Sequence, residues 1–178
     1  MNKKDVKEEN HDKQYQKYLF YKVYTIDFDT ALRTLRVLSR YRKNDVRYCL
    51  LRDIVITYCR PFSKNKGSNF HNSLRSKKFV PQIFLPFHTE LMAVRNQLFA
   101  HTDLTYYRPQ VVNWSTPGQI RFPMAFKGYD YAKLNARVSE IKKLVNSVAQ
   151  KLQNEIDQME KIYAQNNFSK GDGKLYLS

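Results

Sequence analysis

Residues 87–103 read F-H-T-E-L-M-A-V-R-N-Q-L-F-A-H-T-D, and the fold turns on how this stretch is read. Phe87, Leu91, Val94 and Leu98 recur at steps of three and four, the spacing that lines side chains along one stripe of an α-helix. A helix with one face in a core is expected. Arg95, Asn96 and His101 interrupt its most apolar turns. Arginine stays charged at any working pH and imidazole titrates near 6.5, so together they can hold a phosphate and move a proton.

On a regular helix these two side chains do not converge. At about 100° and 1.5 Å per residue, Arg95 and His101 stand about 120° apart around the axis and about 9 Å apart along it. Either the helix ends or distorts near His101, or the site combines residues of two copies across a two-fold axis. The plain alternative is that His101 continues the stripe as a hydrogen-bonded core residue. Pro81 and Pro86 bracket the start of the helix. His88, seven positions before Arg95, falls nearly on its face about 10.5 Å away. His88 and Glu90 are therefore secondary candidates for a cleft, although a role at the helix start suits them better.

Upstream, Asp27 or Asp29 can cap a helix reaching about Arg42, with Ala31, Leu32, Leu35, Val37 and Leu38 on its apolar side. A second helix begins at Asp45, carries Val46, Cys49, Leu50, Ile54, Val55 and Tyr58 at helical spacing, and stops near Cys59 or Arg60 because Pro61 follows. The loop after it, R-P-F-S-K-N-K-G-S-N-F-H-N-S-L-R-S-K-K, is cationic and suits phosphate contacts, or is simply a solvated linker.

The chain has 178 residues, enough for one domain with a sizeable core, and a formal charge of +15. Thirteen basic and two acidic residues lie between Arg33 and Lys78, so that quarter of the chain carries most of the excess. Such an imbalance implies a polyanionic partner, nucleic acid or an acidic membrane surface. Arg33, Arg36, Arg40, Arg60, Lys64 and Lys66 are the candidate nucleic-acid contacts.

Downstream, Pro117-Gly118 separates 111–114 from 119–122, which predicts a small β-hairpin near 111–122 that covers the site or a dimer seam. From residue 129 or 130 to about 165, Leu134, Val138, Ile141, Val145, Val148, Leu152, Ile156, Met159 and Tyr163 predict one long helix. Residues 1–26 read as a tail or aromatic arm, 27–165 as a single helical domain and 166–178 as a flexible tail.

Other chemistry has little support. The four histidines, 11, 71, 88 and 101, are scattered, and Cys49 and Cys59 lack ligand spacing, so no metal and no cofactor is expected. About 15 Å apart on one helix, the two cysteines cannot pair and read as reduced core thiols. No glycine-rich phosphate loop precedes a helix and no hydrolase signature occurs. Without an eighteen-residue apolar run or an apolar signal core, a cytoplasmic location away from membranes is expected.

The segment Arg95-Asn96-Gln97-Leu98-Phe99-Ala100-His101 resembles the signature of the HEPN superfamily, an Arg, a polar residue that is usually Asn, and a His a few positions on. V-R-N-Q-L-F-A-H-T-D, with a small residue before the His and Asp103 two after it, looks like the abortive-infection and toxin-like branch. R-P-F-S-K-N-K-G looks like a stretch ahead of the signature helix in that branch, which adds Arg60 to the cleft candidates and leaves Asp103 a secondary one.

The resemblance implies a mainly α fold, a dimeric four-helix up-and-down bundle, and a metal-independent endoribonuclease. RNA would be the substrate, a second copy the partner, and a cognate antitoxin or a nucleotidyltransferase a further partner. Arg95 would stabilise the phosphorane, His101 would serve as general base or acid, and the Asn96 amide would orient His101 or a phosphate oxygen. A non-catalytic RNA- or nucleotide-binding bundle and a dimeric interaction scaffold are the alternatives.

Overall fold

The computed structural model describes residues 3–66, 71–99, 107–126 and 128–165, with the side chains of 3–12, Lys66, His71, Leu98 and Gln165 outside that description. The protein is mainly helical: α1 (Lys3–Leu38), α2 (Asn44–Cys59), α3 (Ser76–Phe79), α4 (Leu85–Val94), α5 (Tyr131–Ala136) and α6 (Val138–Gln165). Two antiparallel ribbons join them, β1 (Asn65–Lys66) with β2 (His71–Asn72) and β3 (Gln110–Val111) with β4 (Met124–Ala125). Among the described residues no helix is long and apolar enough to cross a membrane.

The expected boundary at Asp27 does not exist. A single helix runs through it from Lys3, and no Gly or Pro interrupts that run. Tyr21, Tyr24, Phe28, Ala31, Leu35 and Leu38 are buried at helical spacing, so the aromatic residues expected in an arm continue the apolar face of the helix. Asp27 caps nothing; its carboxylate accepts a hydrogen bond from Arg60 Nη1 at 2.7 Å.

Helix α2 turns back along α1, and Arg47 closes the corner between them. Its Nη1 donates to the carbonyls of Leu38 and Tyr41, while Nε and Nη2 reach Asn135 Oδ1 on α5. This one fork ties up backbone acceptors at the end of α1 that no helical N–H satisfies. Leu51, Ile54, Val55, Tyr58 and Cys59 of α2 are buried. Cys49, expected in the core, is exposed on the opposite side.

The long C-terminal helix is two helices. Asp130 caps α5 by accepting from the N–H groups of Ala132 and Lys133. The chain leaves helical geometry at Arg137, whose guanidinium lies 3.6 Å from the centre of the Phe87 ring and pairs with both Glu90 and Glu140. Beyond it, Ile141, Leu144, Val145, Val148, Leu152 and Ile156 of α6 are fully buried, each contributing roughly 1.5–3 kcal/mol. Helix α6 runs antiparallel to α1: Tyr18 bonds Glu160 near one end, and Thr25 and Asp29 share a groove with Asn146 and Gln150 further along.

The described residues on either side of 67–70 are not a free linker. Pro61, Phe62, Leu74, Phe79 and Val80 are buried, Asn65 Nδ2 donates to the carbonyls of Arg60 and Ser63, and Lys78 pairs with Glu155 of α6. The second ribbon forms as expected from Pro117-Gly118. Gly118 has a φ of +81°, the left-handed value that the position after proline takes in a type II turn. The ladder continues beyond β3 and β4 through Val112 N–H to Pro123 O and Trp114 N–H to Arg121 O.

Candidate functional site

Helix α4 carries Phe87, His88 and Leu91 into the core and stops being α-helical at Val94. Residues Arg95–Phe99 form a π-helical turn, with one residue more per hydrogen-bonded ring than the α-helix before it. Phe99, which the expected stripe does not include, is buried in this turn, and the side chain of Leu98 lies outside the described residues.

The turn is anchored at its end. Arg52 Nη2 of α2 donates to the Phe99 carbonyl at 3.3 Å, and the same guanidinium lies 5.8 Å from the centre of the Phe99 ring. Phe99 lies parallel to Tyr131 at 6.0 Å and edge-on to Tyr129 at 5.7 Å, and Tyr131 in turn stacks on Tyr48 at 4.8 Å.

At its start the turn presents the Arg-Asn pair. Arg95 Nη1 donates to Asn96 Oδ1 at 2.9 Å, and Asn96 is exposed. Arg95 itself is half-buried, and its Nε has no partner among the described residues. The Cys59 thiol lies in its field. Burial pushes that thiol up to about 12, against a smaller downward pull from Arg95, so it is a packed SH group and no nucleophile.

Of the four histidines, only the side chain of His88 is described, and it is not in a cleft. It is buried, with Nδ1 at 2.8 Å from the Tyr58 hydroxyl and Nε2 at 2.8 Å from the Ser76 hydroxyl, and Phe62 packs edge-on against its ring. Desolvation lowers its pKa to about 4, so it is neutral at pH 7. The candidacy of His88 as a cleft residue is corrected accordingly. Glu90 is exposed and bound to Arg137 Nη1 at 2.6 Å. His101 and Asp103 lie outside the described residues.

No family model, curated protein or solved structure matches the chain.

The basic candidates divide into two groups. Arg33 and Arg36 are exposed on the last turns of α1, and Arg40 in the corner after it. Arg60 and Lys64 lie past the far end of α2, about 24 Å of helix away. Arg60 is half committed to Asp27, while Lys64 is exposed and Lys66 lies on β1 with its side chain outside the described residues. The first group shares its end of the molecule with Tyr48 and α5, the second with α3.

Arg52 has no place among the residues expected from sequence. Nothing but its neighbour Asp53 distinguishes it within a helix that also carries Arg47, and its function emerges only from contact with Phe99, 47 positions later. Among the described residues no three His, Cys, Asp or Glu side chains cluster closely enough to hold a metal ion. The π turn therefore carries a guanidinium group at each end, Arg95 with the exposed Asn96 amide at its start and Arg52 of α2 on Phe99 at its finish.

Proposed function

We propose that this chain is a metal-independent endoribonuclease of the HEPN type. The observation that carries the reading is the π turn that begins at the motif arginine. It holds Arg95 against Asn96, half-buried, with Nε unpaired among the described residues, while Arg52 anchors the other end of the turn at Phe99. A phosphodiester bound there meets fixed cationic donors, the arrangement that stabilises a developing phosphorane.

In this mechanism the RNA 2′-oxygen attacks the adjacent phosphorus and the bond to the 5′-oxygen breaks. His101 removes the hydroxyl proton or delivers one to the leaving oxygen, and Asn96 orients Arg95. The products are a 2′,3′-cyclic phosphate and a 5′-hydroxyl, and DNA is not cut. On this reading α1, α2, α4 with its π turn, and α6 are the four helices of the bundle. Two copies form the cleft in the cytoplasm, and an antitoxin or nucleotidyltransferase restrains it. The distortion at residues 95–99 fits one of the two ways in which Arg95 and His101 can come to serve one site, and the dimer remains the other.

The test is incubation of purified wild type and His101→Ala with total RNA in EDTA, followed by end-group analysis. Cleavage by wild type alone, leaving cyclic-phosphate ends, is the expected result. RNA that stays intact but is retarded on a gel overturns the enzyme in favour of an RNA-binding bundle.

A further inference from the structure

The ribbon built on β3 and β4 is unlike the rest of the surface. Every residue from Arg108 to Phe126 is exposed, yet Val111, Val112, Trp114, Ile120, Phe122, Met124 and Phe126 are among them, Trp114 at 72% and Ile120 at 79%. Apolar side chains concentrated in this way on one projecting element mark a binding surface.

The chemistry of the ribbon selects the partner. No Asp or Glu occurs between Asp103 and Asp130, whereas Arg108, Arg121 and Lys127 do. Trp114 N–H donates to Arg121 O at 2.8 Å, so the two residues sit opposite each other and project from the same face of the ribbon. An exposed indole beside a guanidinium that meets the Gln119 amide oxygen and no carboxylate of the ribbon is suited to a stacked base and its phosphate. Phe122, one position along, offers a second ring on the other face. Ribbon packed on ribbon would set Arg108 and Arg121 against like charge with no carboxylate of the ribbon to offset it, whereas a nucleic acid brings the opposite charge.

The arm is joined to the Arg95 turn. Its return strand leads to Tyr129 and Tyr131, which pack on Phe99 at the end of that turn. We propose that the hairpin is a stacking arm for single-stranded RNA, with Trp114 and Phe122 as base platforms and Arg121 as a phosphate contact. The partner rests on the RNA reading above, while the arm requires none of its cleavage chemistry. Unpaired bases are required because a duplex keeps its ring faces stacked inside.

Trp114 is the single tryptophan of the chain, so its emission reports on the arm alone. The experiment titrates the full chain with a 2′-O-methyl oligouridine of about twelve nucleotides, which cannot be cut through its blocked 2′-oxygen. Saturable quenching is expected. Trp114→Ala is expected to weaken binding of the labelled oligomer roughly five- to one-hundred-fold. Arg121→Ala is expected to reduce the salt slope by about 0.7, and neither substitution to move the thermal midpoint.

Binding without quenching, or equal quenching by a duplex of the same length, overturns the proposal. So does a blue shift that grows with protein concentration alone and accompanies a doubled mass, which assigns the arm to a second copy. Quenching by anionic vesicles but not by the oligomer overturns it as well. Quenching by a protein that leaves total RNA uncut keeps the arm and removes the ribonuclease; cleavage without quenching does the reverse.

Discussion

The Tyr58 hydroxyl and His88 Nδ1 are 2.8 Å apart in the core, and the other ring nitrogen of His88 meets the Ser76 hydroxyl at the same distance. A neutral imidazole donates through one nitrogen and accepts through the other, and either hydroxyl can take the complementary role. Three segments, α2, α3 and α4, thereby share one polar link inside apolar surroundings. Both hydroxyls can also accept from a charged ring, so it is burial, not the loss of a partner, that keeps His88 neutral.

Stability is therefore expected to fall in mild acid. The folded pKa of His88 is about 4 against an ordinary 6.5, so below pH 6.5 the unfolded chain takes up a proton that the folded chain refuses. The loss develops as pH drops from about 6.5 to about 4 and reaches at most about 3 kcal/mol. Urea unfolding of wild type and His88→Gln at pH 7.5 and pH 5 checks this: the substitution lowers stability at pH 7.5 and flattens the difference between the two pH values. An unchanged difference would place the titrating group elsewhere.

The Asp27–Arg60 pair should behave asymmetrically. Burial raises the Asp27 pKa and Arg60 partly offsets the rise, so removing Arg60 strands a carboxylate that is only 10% exposed. Arg60→Ala is expected to cost about 1–2 kcal/mol at pH 7, below the usual cost of breaking a buried pair because water reaches the arginine end. A carboxyl with a raised folded pKa penalises folding as pH rises, so the deficit should shrink toward pH 4. Asp27→Asn in the same background should recover most of it. Denaturation at the two pH values tests all three statements.

The two cysteines should differ in reactivity. Cys49 is exposed, whereas Cys59 is fully buried with its thiol pushed up to about 12. A disulfide reagent at pH 8 should modify one thiol in the folded protein and two in urea. Cys49→Ser should abolish the first reaction, and labelling of Cys59 in that folded variant would contradict its placement.

Gly118→Ala should act on the hairpin alone. A Cβ at φ +81° costs about 1–2 kcal/mol, although nothing nearby obstructs it. Because the ribbon lies outside the core, the cost should appear as local opening. Amide exchange of Val112, Trp114 and Thr116, which donate across the ladder, should accelerate roughly five- to thirty-fold with the thermal midpoint unchanged. A shifted midpoint would mean that the ribbon supports the helices.

What could be read from sequence was whatever depends on neighbours in the chain. The second helix, the apolar face of α6 and the turn at Pro117-Gly118 follow from local spacing and local backbone preference. The failures have distant causes. Asp27 resembles a cap because the residue that satisfies it, Arg60, is 33 positions away. The helix break at Arg137 depends on Glu90, 47 positions earlier. A π turn has no period of its own, so the burial of Phe99 could not be read from spacing. His88 could not be assigned to the core until Tyr58 and Ser76 were beside it, and Arg52 acquires its meaning only from the carbonyl of Phe99.

The contact of Phe99 with Tyr129 has a consequence for how this fold can vary. Phe99 and Tyr129, 30 positions apart in the chain, meet edge-on with their ring centres about 5.7 Å apart. A segment whose ends are already in contact can be lengthened, shortened or rewritten at little entropic expense to the body that holds it. The helices are in this sense a fixed chassis, and the hairpin is an exchangeable fitting: its tip can be altered without disturbing how the chassis stands.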